Sequence, residues 1–325
     1  MTQYIIRRLL WAIPVLFAVG TITFFLARAL PGGPFDFAGD RSLPESVVKN
    51  LERKYHLDWP LWKQFAAYWW DLLRGDLGPS FRSRSLTVND IIKQTFPVSF
   101  QLGMLSLLLG LAIGLPAGIL AALNHNTWID YTSSFVAILG VSVPNIVLGP
   151  FLIWLFGVKL GWLPVARWGA DYTDFYLGFI PPMTLKFWKH AILPTITLGT
   201  ALSASIARLT RASLLQVIRE DYIRTARAKG LRERTIILVH ALKNALIPVV
   251  TILGPLFAAV VTGSFITEQI FGINGLGKHF VQSVTNRDYP VIMAITTFSA
   301  LLTLLGILVS DLLYSVVDPR VTVDQ

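Results

Sequence analysis

The seven residues from Gly272 to Lys278 carry most of a phosphate-binding motif. Their sequence, GINGLGK, matches the first seven positions of G-x-x-x-x-G-K-[ST], in which backbone N–H groups hold phosphates and the final hydroxyl binds Mg²⁺. His279 stands where that hydroxyl is needed, and a long apolar run precedes the stretch instead of a β-strand pattern. We therefore predict a turn or gating loop here. The sequence offers no other motif of this kind, so we expect that the chain alone does not hydrolyse ATP.

Cysteine and histidine give no indication of metal chemistry. The sequence has no Cys, which excludes disulfides and thiolate metal sites. The five histidines are scattered and lack the pair spacing of a zinc site: His56, His125, His190, His240 and His279. Nucleophile, base and metal ligands do not cluster either. A membrane-bound enzyme is therefore disfavoured, and we expect the chain to bind no cofactor.

Charge is concentrated between Glu220 and Pro248. Six basic residues in this stretch oppose three acidic ones: Arg224, Arg227, Lys229, Arg232, Arg234 and Lys243 against Glu220, Asp221 and Glu233. A stretch this polar cannot lie in hydrocarbon, so it must emerge on one face of a membrane.

Local patterns within this stretch predict a short helix. Four apolar residues share one helical face, which predicts that the preceding helix continues into the stretch: Leu214, Leu215, Ile218 and Tyr222. The segment from Thr225 to Lys229 favours helix, and Gly230 is the residue expected where a helix ends in a left-handed turn. We predict a basic helix that lies across the membrane face and docks on another protein. The alternative is an ordinary basic loop.

Composition predicts an all-α membrane protein with several spans. The chain is 54% hydrophobic and 14% charged, whereas soluble proteins carry about 25% charged residues. Six uncharged runs come near the roughly 20 residues that cross a bilayer: Leu9–Ala27, Val98–Leu123, Tyr131–Gly157, Ala191–Ala207, Asn244–Thr267 and Tyr289–Ser310. The run from Ala191 is the shortest, and we expect it to extend past Arg208. Six spans place both termini on one side.

The basic residues predict which side that is. With the N-terminus in the cytoplasm, cytoplasmic segments hold twelve Lys and Arg residues and the short outer loops hold six. Membrane proteins keep such residues in cytoplasmic loops, which also explains the net charge of +9 without a nucleic-acid partner. We interpret the first run as an uncleaved helix because no clear cleavage site follows it. In the long outer segment, the pattern from Trp59 to Leu73 predicts an amphipathic helix. We expect its tryptophans to anchor it at the membrane–water interface, and stacking on a ligand is the alternative.

Several residues within or near the spans carry structural predictions. Gly110, Gly114 and Gly118 repeat every four residues, which predicts close helix packing on one face. Asp311 lies within the last span, where an unpaired carboxylate is costly, and we predict an ion pair with Arg208 or Arg211 in preference to a proton relay. We predict that Glu268, at the outer end of the fifth span, is an interfacial residue.

The stretch from Asp221 to Leu231, DYIRTARAKGL, resembles the loop by which bacterial ABC importer permeases contact their ATPases. The segment from His240 to Pro248 resembles specifically the B-type subunit of the dipeptide and oligopeptide branch. Matching motifs extend over nearly the whole chain: Leu30-Pro31-Gly32, Gly75-Asp76-Leu77-Gly78, Ile192-Leu193-Pro194, Gly275-Leu276-Gly277, Asn286-Arg287-Asp288-Tyr289-Pro290 and Asp318-Pro319-Arg320. Arg224 and Thr225 replace the Glu-Ala of the general motif, and Gly33 replaces an acid often found in the Pro-Gly-x-Pro turn.

The resemblance implies a type I ABC importer permease in the plasma (inner) membrane. It implies a division into a first helix (1–30), an extracytoplasmic loop region (31–95), a five-helix permease domain (96–317, coupling loop 213–246) and a cytoplasmic tail (318–325). The implied coupling helix comprises Asp221, Tyr222, Arg224, Thr225, Ala226, Arg227, Lys229 and Gly230, with the basic residues as polar contacts and Ala226 in close packing.

The implied partners are a second permease subunit, two ATPase subunits that carry ATP and Mg²⁺, an extracytoplasmic binding protein and membrane lipid. The implied substrate is a di- or oligopeptide, and a nickel chelate, a sugar or another small solute is the alternative. A secondary transporter driven by an ion gradient is a further alternative, but it needs internal repeats or several intramembrane ionisable groups.

Overall fold

The computed structural model describes residues 2–29, 33–35, 44–83 and 85–317. These residues form helices and no β-sheet, apart from two isolated β-bridges. Five helical segments are long and apolar enough to cross a membrane: α1 (Thr2–Ala29), α4 (Val88–Leu123), α7 (Leu185–Val217), α11 with α12 (Ile247–Val261 and Phe265–Ile270), and α14 (Tyr289–Val317). The helix α7 does continue past Arg208, as predicted. The predicted tail, 318–325, and the Leu30-Pro31-Gly32 motif lie outside the described residues.

The third predicted span is two helices instead of one. It consists of α5 (Trp128–Ser142) and then α6 (Asn145–Leu152) with a π-helical continuation (Ile153–Lys159), and the two parts are bent by 98°. Pro144 explains the break, because its ring disfavours helical geometry at the preceding residue. Val143 accordingly adopts an extended conformation with ψ 111°. The described residues therefore contain five continuous spans and one bent pair.

Shorter helices connect and cover the spans. They are α2 (Glu45–Lys54), α3 (Leu61–Leu73), a 3₁₀ turn (Tyr172–Asp174), α8 (Asp221–Ala228), α9 (Glu233–Thr235), a π-helical turn (Ile236–Ala241), α10 (Leu242–Ala245) and α13 (Leu276–Asn286). The predicted amphipathic helix is α3. Its Trp62 and Trp70 are exposed, whereas Trp69 stacks on Phe17 and lies against Gly20 of α1.

The two ends of the bundle are defined by contacts between helix termini. Ala122 at the end of α4, Leu214 near the end of α7 and Ile223 of α8 share one apolar cluster. Ser310 near the end of α14 donates to the carbonyl of Val250 near the start of α11. We call this the α8 end. The start of α1 lies there too, because Arg8 pairs with Asp311 of α14. Within the described residues, α1 therefore begins and α14 ends at the same end as α8.

The helices α4 and α7 form the tightest pair because of the predicted glycine stripe. Gly110, Gly114 and Gly118 are buried and lie directly against α7. A Cβ atom on Gly118 would lie 2.5 Å from the carbonyl oxygen of Ala207, which is closer than real Cβ contacts allow. The absence of side chains lets the two backbones approach, as in other small-residue membrane interfaces.

Replacing Gly118 with leucine should separate these two helices. We expect the stability of the purified protein in detergent to fall by about 1–3 kcal/mol or more, since overpacking a close contact forces backbone shifts. Ala112→Leu is the matched control because Ala112 is exposed on the same helix. A lower melting temperature for Gly118→Leu than for Ala112→Leu is the expected result, and equal values would contradict the packing role.

Candidate functional site

The predicted basic helix is α8, and its boundaries follow from local sequence. Glu220 precedes the first turn in an extended conformation, and Asp221 places an acid where the helix dipole favours it. The helix ends at Ala228, and Gly230 adopts a φ of +77° while its N–H donates to the carbonyl of Arg227 at 2.9 Å. The left-handed glycine stop is confirmed.

One face of α8 is fastened to the bundle. Ile223 is completely buried and Ala226 nearly so. Both belong to an apolar cluster that joins α4, α7, α8, the π-helical turn and α10: Ala122, Leu214, Ile223, Ala226, Ile236, Ala241 and Ala245. Because this cluster includes residues before and after α8 in the chain, a force on α8 is transmitted to both α7 and the start of the next span.

The other face of α8 is exposed and charged. Its exposed residues include most of the predicted contact set: Asp221, Tyr222, Arg224, Thr225, Arg227, Lys229 and Gly230. Arg224 pairs with Asp221, and Arg227 donates to Glu233 at 2.6 and 3.1 Å. The hydrogen bond from Arg227 holds the pKa of the Glu233 carboxyl below its usual range. The exposed Arg227–Glu233 pair links α8 to the start of α9.

Tyr222 lies on α8 and not on an extension of α7. The helix α7 ends at Val217, and the chain turns before Asp221. The predicted continuous face from Leu214 to Tyr222 is therefore wrong, although Leu214 is buried as that pattern requires. The Tyr222 hydroxyl instead accepts a hydrogen bond of 2.7 Å from the side-chain amide of Asn244 in α10.

Asp311 pairs with a different arginine from the two predicted. Its carboxylate lies 2.9 Å from Nη2 of Arg8. Arg211 binds Asp130, and Arg208 is exposed. The predicted pair of Asp311 with Arg208 or Arg211 is wrong because depth in the membrane does not decide which helices are neighbours. The first span packs against α14, and this brings Arg8 to Asp311.

Glu268, which was predicted to be interfacial, is completely buried at the end opposite α8. One carboxyl oxygen accepts from the Ser99 hydroxyl at 2.7 Å, and the other accepts from the backbone N–H of Lys278 at 2.8 Å. The Ser99 hydroxyl in turn accepts from the N–H of Leu276 at 2.8 Å. The carboxyl group thus joins α12 to α4 and to the first turn of α13.

The Glu268 carboxyl group also lies against the segment that resembles a phosphate-binding motif, Gly272 to Lys278. Gly275, Leu276 and Gly277 form the start of α13, and a Cβ atom on Gly275 would lie 2.4 Å from the Glu268 carboxyl carbon. A helix N-terminus is a ready anion site, but here the protein's own acid fills it. Gly275 of this motif makes room for Glu268, and Gly277 lets the backbone pack against Gly263, which supports a structural role for the loop.

Comparison with known proteins decides the family. A family model described as "Binding-protein-dependent transport system inner membrane component" matches residues 114–323, and a model for the N-terminal part of such components matches residues 1–103. The chain belongs to this family.

Relatives that match the full length of this chain are permease proteins. The chain is 44% identical to the oligopeptide transport system permease protein OppB of Salmonella typhimurium, over 321 residues that cover 99% of both chains. It is 42% identical over 322 residues, 99% of this chain and 98% of the relative, to the dipeptide transport system permease protein DppB of Bacillus subtilis. The resemblance inferred from the motifs is confirmed at the level of the family.

This chain shares its fold with a chain of a solved ABC transporter. A chain from the MetNI methionine ABC transporter, solved in inward-facing conformations, superimposes with a TM-score of 0.55. The match covers 69% of this chain and 94% of the other, with 19% identity. It shows the ABC importer permease fold.

The sequence did not reveal the roles of three residues that organise the packing of the described helices. Ile223 holds α8 to the bundle, and its signal was an apolar residue three positions before Ala226. Asp130 stands at the edge of an apolar run, where an acid is costly unless paired. Glu268 was recognised but placed at an interface, because its partners Ser99 and Lys278 are far apart in sequence.

Proposed function

We propose that this chain is a permease subunit of an ATP-driven importer for di- or oligopeptides. One observation carries the proposal: a basic helix is exposed at one end of the bundle and is fastened through Ile223 and Ala226 to two spans, α4 and α7, and to α10, which leads into a third. A helix placed in this way can convert movement of a bound motor into movement of the spans. The full-length similarity to OppB and DppB supports the peptide substrate.

The α8 end faces the cytoplasm in this proposal. The excess of Lys and Arg near this end supports that orientation. Two ATPase subunits then receive α8 and hold ATP and Mg²⁺, while this chain binds no cofactor. A binding protein delivers the peptide at the opposite end.

A second permease subunit completes the pathway. The helices α5 and α6 expose large apolar side chains, including Phe135, Leu139 and Phe151, which need lipid or another helix against them. A bundle of six segments at most is small for a complete pathway, and it packs its own interior closely. The two subunits would therefore enclose the peptide route between them.

Reconstitution tests this function directly. The chain should co-purify in detergent with a second permease, two ATPases and a binding protein, and the complex in liposomes should take up a labelled tripeptide only when ATP is present on the ATPase side. Uptake should persist when ionophores collapse proton and sodium gradients. Uptake that follows an ion gradient without ATP would contradict the proposal. Competition by a nickel chelate or a sugar, but not by peptides, would replace the substrate class.

A further inference from the structure

Asp130 and Arg211 form a buried bidentate ion pair that the proposed contact with the ATPases does not include. Only 1% of the Asp130 side chain is exposed. One carboxylate oxygen accepts from Nε of Arg211 at 2.5 Å, and the other accepts from Nη2 at 2.7 Å. The backbone N–H of Asn126 donates to the second oxygen at 3.0 Å, and Nδ1 of His125 lies 3.1 Å from it. Paired forks of this kind fix geometry as well as distance.

The pair connects α5 to the part of α7 that leads into α8. Asp130 lies in the first turn of α5, and Arg211 lies within the last two turns of α7. His125 lines a groove together with Arg219, Asp221 and Arg224, which belong to the α8 segment and its approach. The ion pair therefore lies beside α8, the helix on which the ATPase subunits are proposed to act.

Further along, the contact between α5 and α7 is made by small residues. Ala137 packs with Ala204 and Ala207, and Gly140 lies against Thr200 and Ala204. Small apolar surfaces of this kind allow close approach but supply no directional bond between the two helices. The Asp130–Arg211 pair supplies a directional bond at one end of this contact. It can therefore set the axial position of α5 relative to α7.

The helix α5 leads from this pair to the 98° bend before Pro144. Beyond the bend, Gly149 of α6 packs against Ile270 and Phe271, next to the segment that carries Glu268. A movement of α5 along its axis would thus reach the opposite end of the bundle through α6. The bend is a place where the two helices can change angle without breaking internal hydrogen bonds.

We propose that Asp130 and Arg211 are positioning residues for transport, forming a latch that makes α5 move together with α7 and α8. This inference rests on the proposed function, since it assumes that ATPase subunits move α8. When the Asp130–Arg211 pair is formed, movement of α8 also moves α5 and the bend. When the pair is broken, α8 still responds to the ATPases, but α5 does not move with it.

The test compares ATP hydrolysis with peptide uptake in the complete reconstituted complex. Asp130→Asn leaves the partly exposed Arg211 without its counter-ion and can reduce folding. Asp130→Asn combined with Arg211→Gln is therefore the main variant, because it removes both charges and keeps hydrogen-bonding groups of similar size. We expect its yield and its ATPase rate without binding protein to match wild type. We expect peptide uptake to fall about tenfold, a typical size for coupling between sites.

The stoichiometry separates positioning from stabilisation. A broken latch raises the number of ATP molecules hydrolysed per peptide transported, whereas a purely stabilising pair lowers hydrolysis and uptake together. Arg211→Lys keeps the charge but loses the fork, so it should give an intermediate ratio. Asp311→Asn is the matched control, because it breaks an arginine–carboxylate pair at the same end between α1 and α14. It should keep the wild-type ratio.

The outcomes distinguish the latch from the proposed function. If the wild-type complex shows neither ATP-dependent uptake nor stimulation of its ATPase by the binding protein, the proposed function fails. If the wild-type complex is active and the double variant keeps its ratio of ATP to peptide, the latch is refuted while the proposed function stands.

Discussion

Gly230→Pro should abolish ATP-driven uptake while the protein still inserts in the membrane. Gly230 adopts a φ of +77° and donates its N–H to Arg227. Proline fixes φ near −65° and has no N–H, so it cannot form this turn. The chain after α8 would then leave in another direction, and the exposed face of α8 would be misplaced. Uptake into liposomes and the amount of protein in the membrane fraction are the two measurements.

Other substitutions at the same position provide the controls. No atom lies within 4 Å of a Cβ atom placed on Gly230, so space does not limit the side chain and only φ matters. Gly230→Asn should transport nearly as wild type because asparagine tolerates the left-handed conformation. Gly230→Ala should show a small loss, since this conformation costs about 1–2 kcal/mol for a residue with a Cβ atom. Equal activity of the proline and asparagine variants would contradict the role of the turn.

The charge of α8 tests the same docking contact separately. Replacing Arg224 and Arg227 with glutamate should also abolish uptake, because both are exposed and the proposed docking contact depends on their positive charge. The change also repels Asp221 and Glu233, so a variant that adds Asp221→Arg and Glu233→Arg re-forms both internal pairs and separates their loss from the loss of docking. Arg53→Glu, on the exposed face of α2 at the opposite end, is the control for charge reversal itself. Unchanged uptake in the Arg224/Arg227 variant would contradict the docking role.

The sequence predicted those features that depend on neighbours along the chain. Gly230 ends a helix because of its own conformational freedom, and Gly110, Gly114 and Gly118 share a face because of helical periodicity. The position of α8 between two spans followed from charge alone. The break at Pro144, by contrast, lies within a run that was predicted to be one span, and its 98° angle depends on how α6 packs.

The pairing of polar groups could not be predicted in the same way. Arg211 binds Asp130 across 81 positions, and Arg8 pairs with Asp311 at the other end of the chain. Each pair depends on which helices are neighbours, and hydropathy does not contain that information. Burial of Glu268 has the same origin, because a carboxyl group is stable in the interior only where several donors meet it.

Glu268→Ala should cause the largest loss of stability of any single substitution considered for this protein. The change removes the acceptor of the hydrogen bonds that the Ser99 hydroxyl and the N–H groups at the start of α13 now donate to the carboxyl oxygens. Each buried donor left without an acceptor costs about 1–3 kcal/mol. We therefore expect the free energy of unfolding to fall by more than about 3 kcal/mol, in addition to the cost of the cavity. The melting temperature of the complex in detergent measures this loss.

Glu268→Gln shows whether the charge or the hydrogen bonds matter at this position. The glutamine oxygen can accept from the N–H of Lys278, and its amide can donate to the Ser99 oxygen, which already accepts from Leu276, so that only the Ser99 O–H loses its acceptor. We therefore expect a smaller loss than for alanine. Thr267→Val is the matched control because Thr267 is equally buried, but its hydroxyl accepts only from Ser264, which is partly exposed. A melting temperature of Glu268→Ala no lower than that of Thr267→Val would show that the carboxyl group does not hold α4, α12 and α13 together. A glutamine variant as unstable as alanine would assign the effect to the negative charge at the start of α13.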